Sequence, residues 1–263
     1  MIPRRYIDEW AEFVNWNENI QVEQDLIMTR ALVAIYNNDL LKEKLAFRGG
    51  TALHKLFLIP PARYSEDIDL VQIKAAPIGE ILDQIRTTLS FIVGEKVNVN
   101  RGISITTINY RYLAEGAPPQ RMKLKIEINC REHLAVYDFK EVNLSITNTW
   151  FSGRAAVKTY EPEELLGTKL RALYQRSKGR DLFDLWYAIV QLKPDSEKII
   201  HAYKEYLAFA GIKIRKEDFI ANVDEKMKDL NFRKDILGLL QPGIIFDLEV
   251  AYNLVKNEIL EKL

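Results

Sequence analysis

The sequence predicts an α+β fold in two parts: a domain of about 150 residues built of strands with flanking helices, then a helical lobe. Three observations predict it. Before residue 96, helical spacing is interrupted by two short apolar runs; from 96 to 146 apolar and polar residues alternate; beyond Tyr160 helical spacing dominates. Composition narrows the class further. The 263 residues carry 37 Lys+Arg against 37 Asp+Glu and one cysteine, Cys130, so no internal disulfide holds a secreted scaffold and no bulk positive charge coats nucleic acid. No apolar run of about 18 residues marks a membrane span, and the start MIPRRYIDEW lacks the apolar stretch of a signal peptide. The expected setting is the cytoplasm, with no membrane partner.

Each element follows from its residues. In 21–38, Val22, Leu26, Val33, Ile35 and Tyr36 recur at helical spacing, with Glu23, Asp25 and Arg30 between them. Leu45, Ala46 and Phe47 form a short buried strand that runs into the turn Arg48-Gly49-Gly50-Thr51. A helix over 52–57 follows, with Thr51 in the N-cap position and Pro60-Pro61 as its stop. The β-branched stretch 68–73 reads as a second strand. Val97/Val99, Ile103/Ile105 and Leu124/Ile126/Ile128 alternate with polar neighbours as half-buried strands do, with Pro118-Pro119 connecting two of them. Pro162 opens a helix that turns Leu165, Leu166, Leu170 and Leu173 inward. After a break at Ser177-Lys178-Gly179 comes a helix over 180–191, and the amphipathic stretches 196–209, 216–230, 233–240 and 246–262 complete the lobe.

Chemistry concentrates in 47–70, FRGGTALHKLFLIPPARYSEDIDL. Asp67 and Asp69 stand two apart on a strand, which puts both carboxylates on one face roughly 6–7 Å apart. Such a pair repels itself unless a cation lies between, and a hard divalent ion such as Mg²⁺, shared with substrate phosphates, suits oxygen ligands. Gly49 and Gly50 let backbone N–H groups approach a triphosphate at the positive end of the next helix. The Thr51 hydroxyl and the cations of Arg48 and Arg63 would complete the cradle. A Gly-Gly turn or an Asp-x-Asp alone has an ordinary structural explanation; the order strand, glycine turn, helix, strand joins them. Neither a Walker loop nor a dinucleotide fingerprint is present, and His54, His133 and His201 lack ligand spacing.

Two-metal phosphoryl chemistry asks for a third carboxylate. Glu127 is the candidate, on the strand face it shares with Lys123, Lys125 and Asn129; an ion pair with one of those lysines is the alternative. A second constellation runs from Lys169 through Arg171, Arg176, Lys178 and Arg180 to Asp181 and Asp184. Lys169 and Arg176 lie two turns apart on one side, and Asp181 and Asp184 share the first turn of the next helix. Pairing with a neighbouring arginine would account for Asp184 by itself.

Phe47–Leu53 followed by Arg63–Leu70, Lys169-Leu-x-Ala-Leu-x-x-Arg176 followed by Arg180-Asp181-x-x-Asp184-Leu185, and Val22-Glu23-Gln24-Asp25 together resemble the AbiEii/AbiGii nucleotidyltransferase toxin family. That family is the toxin half of type IV toxin–antitoxin and phage-abortive systems, remotely similar to the MenT toxins and to the DNA polymerase β-like nucleotidyltransferases. The resemblance implies a small mixed β-sheet nucleotidyltransferase domain over 1–155 and a helical C-terminal domain over 156–263. It makes Gly49, Gly50 and Thr51 the triphosphate turn, with Arg63 a further nucleotide contact. Asp67, Asp69 and Glu127 become the Mg²⁺ ligands, Lys169 a phosphate contact and Asp181 a second essential polar residue. Arg48 and Gln24 stand where lysine is common, and 58–62 is proline-rich. The implied activity moves a nucleoside monophosphate from an NTP to RNA, above all a tRNA 3′ end, under the control of a cognate antitoxin. Nucleotidylation of a protein or small molecule, or a catalytically silent interaction module, are the alternatives.

Overall fold

The computed structural model of the chain describes residues 2–263. Helix α1 (Arg4–Val14) packs Ile7, Trp10 and Val14 onto α2 (Asn19–Asn37), whose residues from Val22 to Tyr36 are buried almost all round. Asn38 then caps α3 (Asp39–Lys44), its side chain accepting from the Leu41 N–H at 3.1 Å. Strand β1 (Leu45–Arg48), helix α4 (Gly49–Leu56), strand β2 (Asp67–Gln72) and helix α5 (Gly79–Thr88) follow. The next strands are β3 (Asn98–Arg101), β4 (Ile105–Ala114), β5 (Gln120–Asn129), β6 (Phe139–Ile146) and β7 (Gly153–Tyr160). Helices α6 (Pro162–Gln175), α7 (Gly179–Leu192), α8 (Ser196–Phe209), α9 (Lys216–Lys228), α10 (Leu230–Lys234) and α11 (Leu248–Glu258) build the C-terminal part.

The strands form one mixed sheet in the order β3-β4-β5-β2-β1-β7-β6. β1 lies antiparallel to β2, while β2/β5 and β1/β7 are parallel. Phe47, Ile68, Leu70, Ile126 and Ile128 are buried in its centre, each contributing about 1.5–3 kcal/mol of burial. Because strand faces alternate, this apolar face obliges Asp67, Asp69, Lys125 and Glu127 to share the other. Register then sets who meets whom: Arg48 opposes Asp69, Asp67 opposes Lys125, and Asp69 opposes Glu127.

One apolar core lies under the sheet and extends to Leu165; a second starts at Leu166 and takes Leu53 and Leu58 from the N-terminal half. Helix α6 therefore spans both. Its Glu164 is buried and accepts from the N–H groups of Val136 and Tyr137 and from the Tyr206 hydroxyl.

Three expectations change. Helix α4 starts at Gly49, three residues early, so Thr51 lies inside its first turn and caps nothing. In β4 the inward residues are Thr106, Ile108, Tyr110, Tyr112 and Ala114; Ile105 is exposed and Ile103 sits in a turn before the strand. The stretch 233–240 is a helix only to Lys234, after which turns lead to Leu239 and Leu240, which pair with Tyr64 and Arg63. Ile236 is buried with Ala62 and Phe183, and Leu239 and Leu240 pack against that cluster.

Candidate active site

The site is assembled where β1, β2 and β5 end beside α4 and α6. Gly49 has φ +81, a left-handed conformation, and a Cβ there would stand 2.4 Å from the Asp69 Oδ2 atom. The glycine turn and the second aspartate are thus in direct contact. No side chain caps the first turn of α4, whose positive end faces the same place.

A cleft of about 470 Å³ opens here, lined among others by Gly49, Gly50, Asp69, Glu127, Arg48 and Lys169. Burial, followed by the charges of Asp67 and Glu127, pushes the Asp69 carboxyl above its usual range, against the pull of Arg48 and Lys169. The Asp67 carboxylate is 2.7 Å from the Lys125 Nζ, and the Glu127 Oε1 is 3.4 Å from that ammonium.

Behind the turn lies a buried network. Asp184 receives both the Nε and Nη2 of Arg63, at 2.6 and 2.8 Å, and stands 2.9 Å from the Lys169 Nζ. The same ammonium meets Asp181 at 3.0 Å, and Arg176 closes on Asp181 bidentately. Burial opposes ionisation of Asp184, yet Arg63, Lys169 and the bonds from Arg63 and His54 hold its carboxyl well below the usual carboxylate range. Burial works likewise against Asp181, and Lys169 with Arg176 overcomes it, keeping that carboxyl below its usual range. Gly50 fits over this network because it has no side chain: a Cβ would meet the Arg63 Nη2 at 2.3 Å and the Lys169 Nζ at 3.1 Å.

The family profile described as "Nucleotidyl transferase AbiEii toxin, Type IV TA system" matches residues 30–248, a span that holds every residue just described. The chain belongs to this family. It is a nucleotidyltransferase of the toxin class, with a cognate antitoxin and an NTP substrate implied by that class. No curated protein matches it. Among solved structures it is similar to MenT4, the nucleotidyltransferase toxin Rv2826c of Mycobacterium tuberculosis H37Rv, at TM-score 0.63 and 16% identity, covering 98% of this chain and 88% of that one. A protein from H. pylori assigned as a nucleotidyltransferase gives TM-score 0.51 and 17% identity, covering 93% and 98%. Both likenesses concern the fold.

Within this AbiEii chain the residues singled out from sequence fall into two groups. Gly49, Gly50, Asp69, Glu127 and Lys169 line one cleft; Asp67, two residues before Asp69 on the same strand face, lines a second one. Thr51 and Arg63 do not reach the cleft as phosphate ligands. The Thr51 hydroxyl is buried, donating to the Asp67 carbonyl at 2.7 Å and lying 2.6 Å from the Ser65 Oγ. Arg63 is buried beneath Gly50 with its guanidinium committed to Asp184 and to the Tyr64 carbonyl. Glu127 faces the cleft, but Lys125 stands between it and Asp67, and among the described residues no three acidic, His or Cys groups converge on one point.

Sequence reasoning missed Glu132, which takes Arg48 at 2.8 Å and Arg171 at 2.6 and 3.0 Å on the cleft wall. Burial works against its ionisation, and Arg171 and Arg48 reverse that, lowering the carboxyl. Gln24 donates to the carbonyls of Glu66 and Lys123 and accepts from the Tyr64 hydroxyl. It pins the ends of β2 and β5 together. Among the described residues no helix is long and apolar enough to cross a membrane.

Proposed function

We propose that the chain carries out Mg²⁺-dependent transfer of a nucleoside monophosphate from an NTP to an RNA acceptor, a tRNA 3′ end, in the cytoplasm. Extension of the acceptor end would mask its hydroxyl, block translation, arrest growth and abort phage infection. The observation that carries this reading is the contact of Gly49 with Asp69, which brings an uncapped helix end and an anionic face into one cleft.

The donor set fits a hard divalent ion. Asp67 and Asp69 offer carboxylate oxygens from one strand face, and among the described residues the Asp69 carboxylate has no cation or N–H of its own. When bound, the ion neutralises triphosphate charge and the charge that develops as pyrophosphate leaves. The chain's own groups do the rest. Gly49 and Gly50 present backbone N–H groups to the phosphates at the start of α4. Lys169, held by Asp181 and Asp184, gives a fixed positive charge at the cleft wall. Thr51, by gripping the Asp67 carbonyl, fixes the first aspartate to the turn. An acceptor hydroxyl oxygen then bonds to the α-phosphorus as the bond to the β-phosphate oxygen breaks.

For the acceptor, a second cleft of about 780 Å³ is lined by Asp67 and, among others, by Gln21, Arg111, Arg121, Lys123 and Leu113. Its exposed cations suit backbone phosphates and its apolar wall suits a base. In a transfer assay with labelled NTP and total RNA, Asp67→Ala and Asp69→Ala should each lose label while keeping a normal melt. RNase should release the label from the wild-type product. Protease-sensitive label would instead make a protein the acceptor, and undiminished transfer by either variant would reject the assignment.

A further inference from the structure

Lys125 holds a position that the two-ion scheme leaves for a metal. Strand register sets it opposite Asp67, so the two side chains leave the same face of adjacent strands. Its Nζ lies 2.7 Å from the Asp67 Oδ2 and 3.4 Å from the Glu127 Oε1, bridging the first aspartate and the third carboxylate. A second divalent ion shared by Asp67 and Glu127 would need the space and the oxygen that this ammonium already uses. Asp69 differs: no cation of the chain pairs with it among the described residues, and it rests against Gly49.

Resting on the nucleotidyl-transfer reading above, we propose that Lys125 takes the place of one cation of the usual pair, so that this site works with a single divalent ion bound on the Asp69 side. Charge balance agrees. Before nucleotide binds, Asp67, Asp69 and Glu127 bring three negative charges and Lys125 returns one, leaving two for a divalent ion to cancel. Lys125 is a cation that does not exchange with solvent, fixed beside Asp67 and Glu127. Mg²⁺ would then be bound by Asp69 and by the Asp67 oxygen that Lys125 leaves free.

The test counts ions in the ternary complex. With a non-hydrolysable α,β-methylene NTP analogue at saturation, Mn²⁺ bound per chain is read by electron paramagnetic resonance of the free ion, including any ion that enters on the nucleotide. Wild type should bind one. Lys125→Met, which frees Asp67 and Glu127, should bind two, and Lys125→Arg should return to one. Lys125 is partly exposed, so both variants should stay folded, with Lys125→Met melting slightly lower because Asp67 and Glu127 lose their cation; melting is checked first. Two ions in wild type, or one in Lys125→Met, overturn the proposal while the transfer chemistry stands. Absence of both Mn²⁺ and analogue binding in wild type overturns it together with the proposed function.

Discussion

At the scale of single residues, Asp69 carries a repulsion that its proposed part in metal binding would explain. Its carboxyl is raised first by burial and then by the charges of Asp67 and Glu127. A carboxyl whose folded value lies above its unfolded one favours the folded state at low pH, and that contribution is lost as pH rises through the folded value. At neutral pH the metal-free protein therefore carries a repulsion that the unfolded chain lacks. Asp69→Asn removes it. With screening at a partly open cleft the gain is about 1–2 kcal/mol, or roughly 2–4 °C for a chain of this size. Melting in EDTA at pH 7.5 should show this rise, and the same variant should lose at least about 100-fold in transfer. A variant that melts lower than wild type without metal would mean that Asp69 is paired within the fold and not waiting for an ion.

At the scale of elements, the glycine turn and α4 form the part of the site that tolerates least change. Alanine at Gly49 meets both the left-handed backbone, at about 1–2 kcal/mol, and the Asp69 carboxylate at 2.4 Å. Gly49→Ala should lower the melting temperature by a few degrees and abolish the further rise that NTP with Mn²⁺ gives wild type. Gly79→Ala, at the first position of α5 with nothing within 4 Å, is the control and should leave both unchanged or slightly raised; equal behaviour of the two would dismiss the contact as unimportant. This turn was legible in the sequence because its signals are local: an apolar run, two glycines, a helix-forming stretch and a charged strand. The roles of Thr51 and Arg63 were not legible. Their partners, the Asp67 carbonyl and the Asp184 carboxylate, lie 16 and 121 residues away, so only the assembled fold reveals that both side chains are already committed. The facing of β4 was misread for a related reason. Ile103 and Ile105 are apolar, but pairing with β5 turns Thr106, Ile108 and Tyr110 inward, and a threonine on the buried side hides the phase. Lys125 was visible as an ion-pair partner of Glu127, whereas its closer contact with Asp67 depends on the parallel pairing of β2 with β5.

At the scale of the whole molecule, the two apolar cores meet at a buried polar junction. His54 and Arg63 come from the N-terminal half, Lys169, Asp181 and Asp184 from α6 and α7, and all but Lys169 are at most 3% exposed. Removing one member strands the charge of another, so the junction couples the halves and places Lys169 with them. His54 makes this coupling sensitive to pH. Burial lowers its pKa below the ordinary value, despite the bond to Asp184, so near neutrality the ring is uncharged. Its Nε2 then carries the proton donated to the Asp184 Oδ1, 2.9 Å away, and the Nδ1 has no partner. As pH falls through about 6.5, the value in an unfolded chain, the unfolded protein takes up a proton that the native ring refuses. Native stability then declines by up to about 1.4 kcal/mol per pH unit until the folded value of His54 is reached. Asp181 and Asp184, both lowered, act later: their contribution is complete above their unfolded value of about 3.9 and is lost as pH falls through their folded ones. Asp69 acts in the opposite sense, so the His54 part is isolated by comparison with His54→Gln, whose amide can still donate to Asp184 but does not titrate. Denaturant unfolding at pH 8, 6.5 and 5.5 should show wild type losing stability over the last interval relative to the Gln variant. Parallel curves would mean that the native ring accepts the proton, and the neutral histidine at the centre of the junction would have to be replaced by a charged one.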